Sequence, residues 1–306
     1  MTEAWITLAT NDSYAEGALT LLHSLHSSGT SRKIHCLITD GVSNSVRQKL
    51  EEKFDEVTVV DVYDSNDSEN LSLIKRPDLG VTFTKLHCWR LTQYTKAVFL
   101  DADTMVLSNA DELFERPDFS AAADIGWPDM FNSGVFVFSP SISVYRSLLF
   151  LATSNGSFDG GDQGLLNDYF SNWRDLPSAH RLPFIYNMTS GEFYTYAAAY
   201  QKYGGQTKIV HFIGAQKPWH STPSDAGIHK SEHYQQWNLF NKGSRTSSEK
   251  DQSSSSNTSL QREQEDTEMQ RVAWEAGHPD YLGKDAFKNI QKALDEVMGS
   301  EKSPNP

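Results

Sequence analysis

The stretch Ala97-Val98-Phe99-Leu100-Asp101-Ala102-Asp103-Thr104 constrains this chain more than any other. An apolar, strand-prone run ends in two carboxylates separated by one residue. Residues two apart in an extended chain face the same way, so Asp101 and Asp103 are expected to point together off the end of a buried strand. Open α/β sheets bind ligands at the carboxyl ends of their strands. Two hard oxygen donors there suit Mg²⁺ or Mn²⁺, ions that also grip substrate phosphates. The first hypothesis is a metal-bound nucleotide diphosphate. The plain alternative is a solvated acidic turn, because short motifs recur by chance.

The surrounding sequence alternates strand and helix patterns. Residues 5–10, 33–39 and 57–62 read as strands, and residues 14–27 and 43–53 as helices. Asn11-Asp12-Ser13 and Ser43 supply helix-entry residues. The alternation predicts a parallel, Rossmann-like sheet. Residues 82–94 look helical and carry Lys85. Arg76 and Lys85 are basic residues in the stretch leading to the acidic pair, and a diphosphate needs more cations than one metal supplies. Lys85 is therefore expected at the phosphates, against the alternative of an ordinary surface charge.

Further along, residues 121–124 form a strand ending in Asp124. Residues 132–138 form another, entered through Asn132-Ser133-Gly134, which brings backbone close to a ligand or makes a simple turn. After a helix at 141–154 comes Asp159-Gly160-Gly161-Asp162-Gln163-Gly164, whose acids and amide suit a hydroxyl-rich ligand. Asp162 could equally cap the helix expected at 165–170. Residues 183–187 read as a strand. Tyr196, Tyr200 and Tyr203 recur at helical spacing, as in core packing. Strand 208–212 carries His211, a lone histidine that by itself is more often structural, and Lys217-Pro218-Trp219 follows a glycine-bearing turn.

A net charge of −13 disfavours nucleic acid or an anionic membrane as a partner, while leaving room for one anionic ligand held through a metal. No apolar run approaches the length of a membrane span, and the first ten residues lack the basic start and apolar core of a secretion signal. Cys36 and Cys88 are expected as buried free thiols, which suits a reducing compartment. Asn187-Met188-Thr189 has the form of a glycosylation acceptor, expected to stay unmodified in a chain without a secretion signal. Residues 243–268 are rich in Ser, Thr, Gln, Lys and Glu and are expected to form a disordered linker. Residues 285–297 then read as an amphipathic helix with Phe287, Ile290, Leu294 and Val297 on one side. It is expected to dock on a partner, or to fold back on its own domain.

The strand ending in Asp101-Ala102-Asp103, the stretch Phe131-Asn132-Ser133-Gly134, the loop Phe158-Asp159-Gly160-Gly161-Asp162-Gln163-Gly164 and Val210-His211-Phe212 with Lys217-Pro218-Trp219 resemble the glycogenins. So does Lys75-Arg76-Pro77-Asp78-Leu79-Gly80 through Trp89, and Trp274-Glu275-Ala276-Gly277 near the end of the chain. The resemblance implies a single Rossmann-like nucleotide-sugar domain of GT-A type, α/β with a mixed, mainly parallel sheet. It divides the chain into a catalytic domain at 1–240, a disordered linker at 241–271 and a glycogen-synthase-binding helix at 272–300. It implies a retaining, self-glucosylating transferase that uses UDP-glucose and Mn²⁺, with Mg²⁺ as a substitute. The implied acceptor is Tyr194, with Tyr196 beside it, and the glucose added there is extended as a short α-1,4 chain.

By the same resemblance, Asp101, Asp103 and His211 hold the metal. Lys217, Lys85 and Arg76 serve the phosphates, and Asp162 is the carboxylate nearest the chemistry. Leu8, Thr10, Asn11, Tyr14, Ala102, Asn132, Ser133, Asp159, Gln163 and Gly214 complete the nucleotide-sugar contacts, with Asp124 on the sugar and acceptor side. A cytoplasmic homodimer that hands a growing glycogen chain to glycogen synthase is implied as well. Two other readings compete: a related transferase acting only on external acceptors, and a non-catalytic scaffold that recruits glycogen synthase.

Overall fold

In the computed structural model the described residues are 2–126, 128–189, 197–214, 217–220 and 228–244. Strand β1 (Glu3–Ala9) leads into helix α1 (Asp12–Ser27), β2 (Lys33–Ile38), α2 (Asn44–Lys53) and β3 (Glu56–Val59). Helix α3 (Ser68–Leu73) and a run of tight 3₁₀ turns, Pro77–Arg90, precede β4 (Lys96–Leu100) and β5 (Thr104–Val106). There follow β6 (Ser120–Ala123), β7 (Phe131–Phe138), α4 (Ile142–Ser154), α5 (Asp162–Tyr169), β8 (Arg181–Leu182), β9 (Met188–Thr189), α6 (Ala197–Tyr203), β10 (Ile209–His211) and α7 (Ile228–Ser244).

Seven strands form one sheet in the order β3-β2-β1-β4-β7-β6-β8. Every pairing is parallel except the two made by β7, which runs against β4 and β6. The sheet is thus mixed and mainly parallel. Both faces are buried, as the strands' nearly unbroken apolar runs require. Trp5, Val98 and Leu100 point into one core with α1, while Ile6, Phe99 and Phe136 point into the other with Trp89. The alternation of neighbours between two cores is the period-2 rule at work on β1 and β4.

Strand order reverses at β1, which has β2 on one side and β4 on the other. Strands β1 and β4 run parallel there, so Thr10 and Asp101 leave the sheet at the same edge. Such a switch point opens a crevice at the carboxyl ends. A second sheet, β5-β10-β9, starts immediately after β4, and α7 covers it through Tyr234 and Trp237.

Some local expectations change. Residues 82–94 are not an α-helix; Gly80 and the β-branched Val81, Thr82 and Thr84 favour tight turns, and the Thr82 hydroxyl bonds back to the Leu79 carbonyl at 2.6 Å. Residues 183–187 are not a strand. Pro183 opens a 3₁₀ turn closed by Tyr186 N–H to its carbonyl at 3.1 Å. Gly161, not Asp162, caps α5. Tyr203 is 51% exposed, so the tyrosine spacing of α6 does not mark a core. Helix α7 runs to Ser244. The expected linker beyond it and the helix at 285–297 lie outside the described residues. Cys36 and Cys88 are buried free thiols, as expected. Among the described residues no helix is long and apolar enough to cross a membrane.

Candidate active site

Asp101 and Asp103 converge, but through a turn and not an extended strand. The chain must leave the large sheet after Leu100 and enter the small one at Thr104. The Thr104 N–H closes that turn on the Asp101 carbonyl at 3.0 Å, and the Thr104 hydroxyl repeats the contact at 2.7 Å. Strand β10 then pairs antiparallel with β5, setting His211 opposite Thr104. This one pairing carries an imidazole from far down the chain to the acidic turn. His211 Nε2 lies 3.3 Å from Asp103 Oδ1 and 3.9 Å from Asp101 Oδ2.

One atom from each of these three side chains falls within 4.8 Å of the others. Two carboxylates and an imidazole are a donor set for a divalent cation that accepts both oxygen and nitrogen. His211 Nδ1 faces Asn187 Oδ1 at 2.9 Å, which leaves Nε2 for the carboxylate side. Gly134 makes the fit possible, because a Cβ there would overlap the imidazole. The flexible Asn-Ser-Gly entry to β7 therefore serves a side chain of the protein itself.

Two lysines face three carboxylates here. Lys217, buried, pairs with Asp103 Oδ2 and donates to the Phe212 carbonyl at 3.1 Å. Lys85, 3% exposed, bridges Asp101 at 2.9 Å and Asp162 at 2.5 Å. Its third partner is the Ser133 carbonyl at 3.1 Å. Three acceptors match the three N–H bonds of an ammonium. Lys85 therefore ties the Asp101 and Asp162 carboxylates together.

The charges shape the titration. Burial raises the Asp103 carboxyl pKa, but Lys217 and His211 outweigh it and hold the group well below the usual carboxylate range. For Asp101, burial raises the pKa, Lys85 pulls it back, and the Asp103 and Asp162 carboxylates restore the rise. Burial would discharge Lys85, yet Asp101 and Asp162 keep it charged, with a raised pKa.

Asp162 is the first residue of α5. Its Oδ2 also accepts the Ser133 hydroxyl at 2.7 Å, and its N–H donates to Thr82 Oγ1 at 3.0 Å. Gln163, next along, links Ser133 N–H (3.2 Å) to Asp124 Oδ2 (3.1 Å). Asn132 donates to the same Asp124 oxygen at 3.0 Å. Asp159 accepts from the Ser157 hydroxyl at 2.8 Å and Gly161 N–H at 2.9 Å. Burial raises its carboxyl pKa against those two bonds.

At the end of β1, half-buried Leu8 and Thr10 and exposed Asn11 lie on the crevice edge, with Asn11 capping α1 by accepting Tyr14 N–H at 3.1 Å. Tyr14 packs edge-on to Trp219 at 5.3 Å. Burial, then the charge of Asp103, raises its hydroxyl pKa, so it stays protonated. Arg76 makes a bidentate pair with Asp78 at 3.0 and 2.7 Å. Ala102 sits buried in the acidic turn, and Gly214 adopts a left-handed φ of 108° before Lys217. Tyr194 and Tyr196 lie outside the described residues. The sequence pattern marks neither Asn187 nor Thr82 for the site; Asn187 ends an expected strand and opens a glycosylation triplet, yet it is buried and bonded.

The pattern of glycosyl transferase family 8 matches residues 5–223. Glycogenin-1 of Caenorhabditis elegans is 73% identical over 78% of this chain, which spans 54% of that relative's length. Glycogenin-1 of Mus musculus is 45% identical over 97% of this chain and 99% of its own length. Among solved structures, the galactosyltransferase LgtC in complex with donor and acceptor sugar analogs shares the fold, with a TM-score of 0.55 at 17% identity over 80% of this chain and 98% of its own. A family pattern spanning most of the chain, relatives this close and an acidic turn met by an imidazole at the switch point all agree: the chain belongs to glycosyl transferase family 8 and, within it, to the glycogenins.

Proposed function

We propose that this protein is a retaining, Mn²⁺-dependent glucosyltransferase that moves glucose from UDP-glucose onto the phenol oxygen of its own Tyr194. It then lengthens that glucose as a short α-1,4-glucan that primes glycogen synthesis. The observation that carries the reading is the cluster of Asp101, Asp103 and His211 beside Lys217, Lys85 and Asp162.

Asp101, Asp103 and His211 would hold the cation, which supplies positive charge against the charge that builds on the β-phosphate as UDP departs. Lys217 adds an ammonium on the same side, and Arg76 a guanidinium at the rim. Transfer breaks the bond from glucosyl C1 to the phosphate oxygen and forms one from C1 to the acceptor oxygen. The phenol proton passes to Asp162 or to the departing phosphate oxygen. Lys85 and Ser133 fix Asp162 where it can act as base, transient nucleophile or positioning group. Asp124, Asn132, Asp159 and Gln163 present acceptors and amides suited to sugar hydroxyls. Leu8, Thr10, Asn11 and Tyr14 border the nucleotide.

Kinship to the glycogenins supports the wider setting: a cytoplasmic homodimer, a growing glycogen chain as product, and residues 272–300 docking on glycogen synthase. The deciding experiment is intact-mass analysis of the purified full chain given UDP-glucose and Mn²⁺. A ladder of hexose additions is expected. A chain that shows no donor cleavage and gains no hexose would overturn the reading.

A further inference from the structure

The orientation of His211 can be traced through two side chains, Asn187 and Asn132, to two groups of fixed hydrogen-bonding role. The Gly134 backbone N–H donates to Asn132 at 2.9 Å, so the accepting atom is Oδ1. The other end of that amide, Nδ2, donates to the Asp124 carboxylate at 3.0 Å. A donor and an acceptor thus fix the Asn132 amide from both sides. Its Oδ1 also meets an atom of Asn187 at 2.9 Å, which must be the donor Nδ2. Asn187 Oδ1 is left facing His211 Nδ1 at 2.9 Å, and an oxygen there demands a protonated Nδ1. Asn187, Asn132 and His211 are all buried, and Asn187 is 3% exposed.

We propose that Asn187 is a positioning residue that locks the His211 imidazole with its proton on Nδ1 and its Nε2 lone pair turned to the Asp101–Asp103 pair. This rests on the metal-binding reading of that cluster and deepens it. Asp124 and Asn132 act through the same relay. The residues that offer hydrogen bonds to the sugar are therefore continuous with the one that aims the imidazole. A metal ligand aimed in this way binds more tightly, because its ring need not be ordered when the ion arrives.

The test is Mn²⁺ titrated into the full chain with saturating uridine diphosphate, read by the EPR signal of the free ion. Asn187→Ala is expected to weaken Mn²⁺ about 10- to 100-fold, with turnover recovering as Mn²⁺ is raised. A purely structural role would lower the folded fraction without moving the metal midpoint. In a His211→Ala background, Asn187→Ala should cost nothing further. Unchanged affinity, or a full additive loss in that background, overturns the proposal. Should Asn187→Ala not fold, Asn132→Ala frees the Asn187 amide from its other side. Mn²⁺ affinity is then expected to fall about tenfold, and wild-type affinity overturns the proposal. A wild-type chain that binds no Mn²⁺ removes the metal reading itself; a wild type that binds beside an unaffected Asn187→Ala removes only this one.

Discussion

The imidazole of His211 occupies the space that a side chain on Gly134 would need. Gly134 cannot retreat cheaply. Its carbonyl accepts Asp101 N–H at 2.9 Å and its N–H donates to Asn132, so both its neighbours belong to the site. Gly134→Ala is expected to push the ring off the carboxylates. Mn²⁺ affinity should fall at least about tenfold. Overpacking should cost about 1–3 kcal/mol in urea unfolding. Wild-type metal affinity in this variant would contradict the packing argument.

Lys85 is the only cation bridging Asp101 and Asp162 among the described residues. Lys85→Met leaves two carboxylates facing each other without it. Breaking a buried pair from one side costs about 3–5 kcal/mol. Chemical denaturation should show a loss of that size at neutral pH, and a loss below about 1 kcal/mol would mean that solvent replaces the ammonium.

Asp162→Asn keeps the shape of the side chain and removes its charge. If Asp162 takes part in transfer, UDP-glucose should still bind while hexose addition slows by about 10²-fold or more. Full self-glucosylation with intact donor binding would end that assignment.

Acceptor and donor sites are expected to separate by mutation. Tyr194→Phe should abolish the hexose ladder in the intact mass while leaving transfer to a free maltoside. Asp103→Asn should abolish both, because it removes one carboxylate charge from the Asp101–Asp103–His211 cluster. A ladder that persists in Tyr194→Phe would move the acceptor to Tyr196.

His35 gives the fold a pH dependence of its own. It is fully buried on β2, bonded to Tyr94 Oη at 3.0 Å and Thr58 Oγ1 at 2.9 Å. Burial, only partly opposed by Glu56, pushes its pKa down to about 4 from 6.5. The unfolded chain takes up this proton as the pH falls through 6.5, and the folded chain does so only near 4. His35 therefore leaves stability intact above 6.5 and erodes it as the pH drops across that window, by on the order of 3 kcal/mol. Urea midpoints between pH 7 and pH 4 should fall accordingly, and His35→Gln should flatten that part of the slope.

Sequence alone determined the features that are local. An apolar strand running into Asp101 and Asp103, the strand–helix alternation before it and the buried cysteines all follow from residue type and near-neighbour spacing. The block pattern even marked His211, Lys217 and Asp162 as members of one site. Tertiary structure decided who meets whom. The acidic pair converges because the chain turns from one sheet into another, which period-2 spacing does not express. His211 arrives through the pairing of β10 with β5, a contact between distant segments. Lys85 closes on Asp101 and Asp162, and Asn187 turns inward to His211, because packing around β4 and β7 brings those partners within reach. A buried donor must find an acceptor, and which one it finds depends on how the sheets stack, not on the order of residues along the chain.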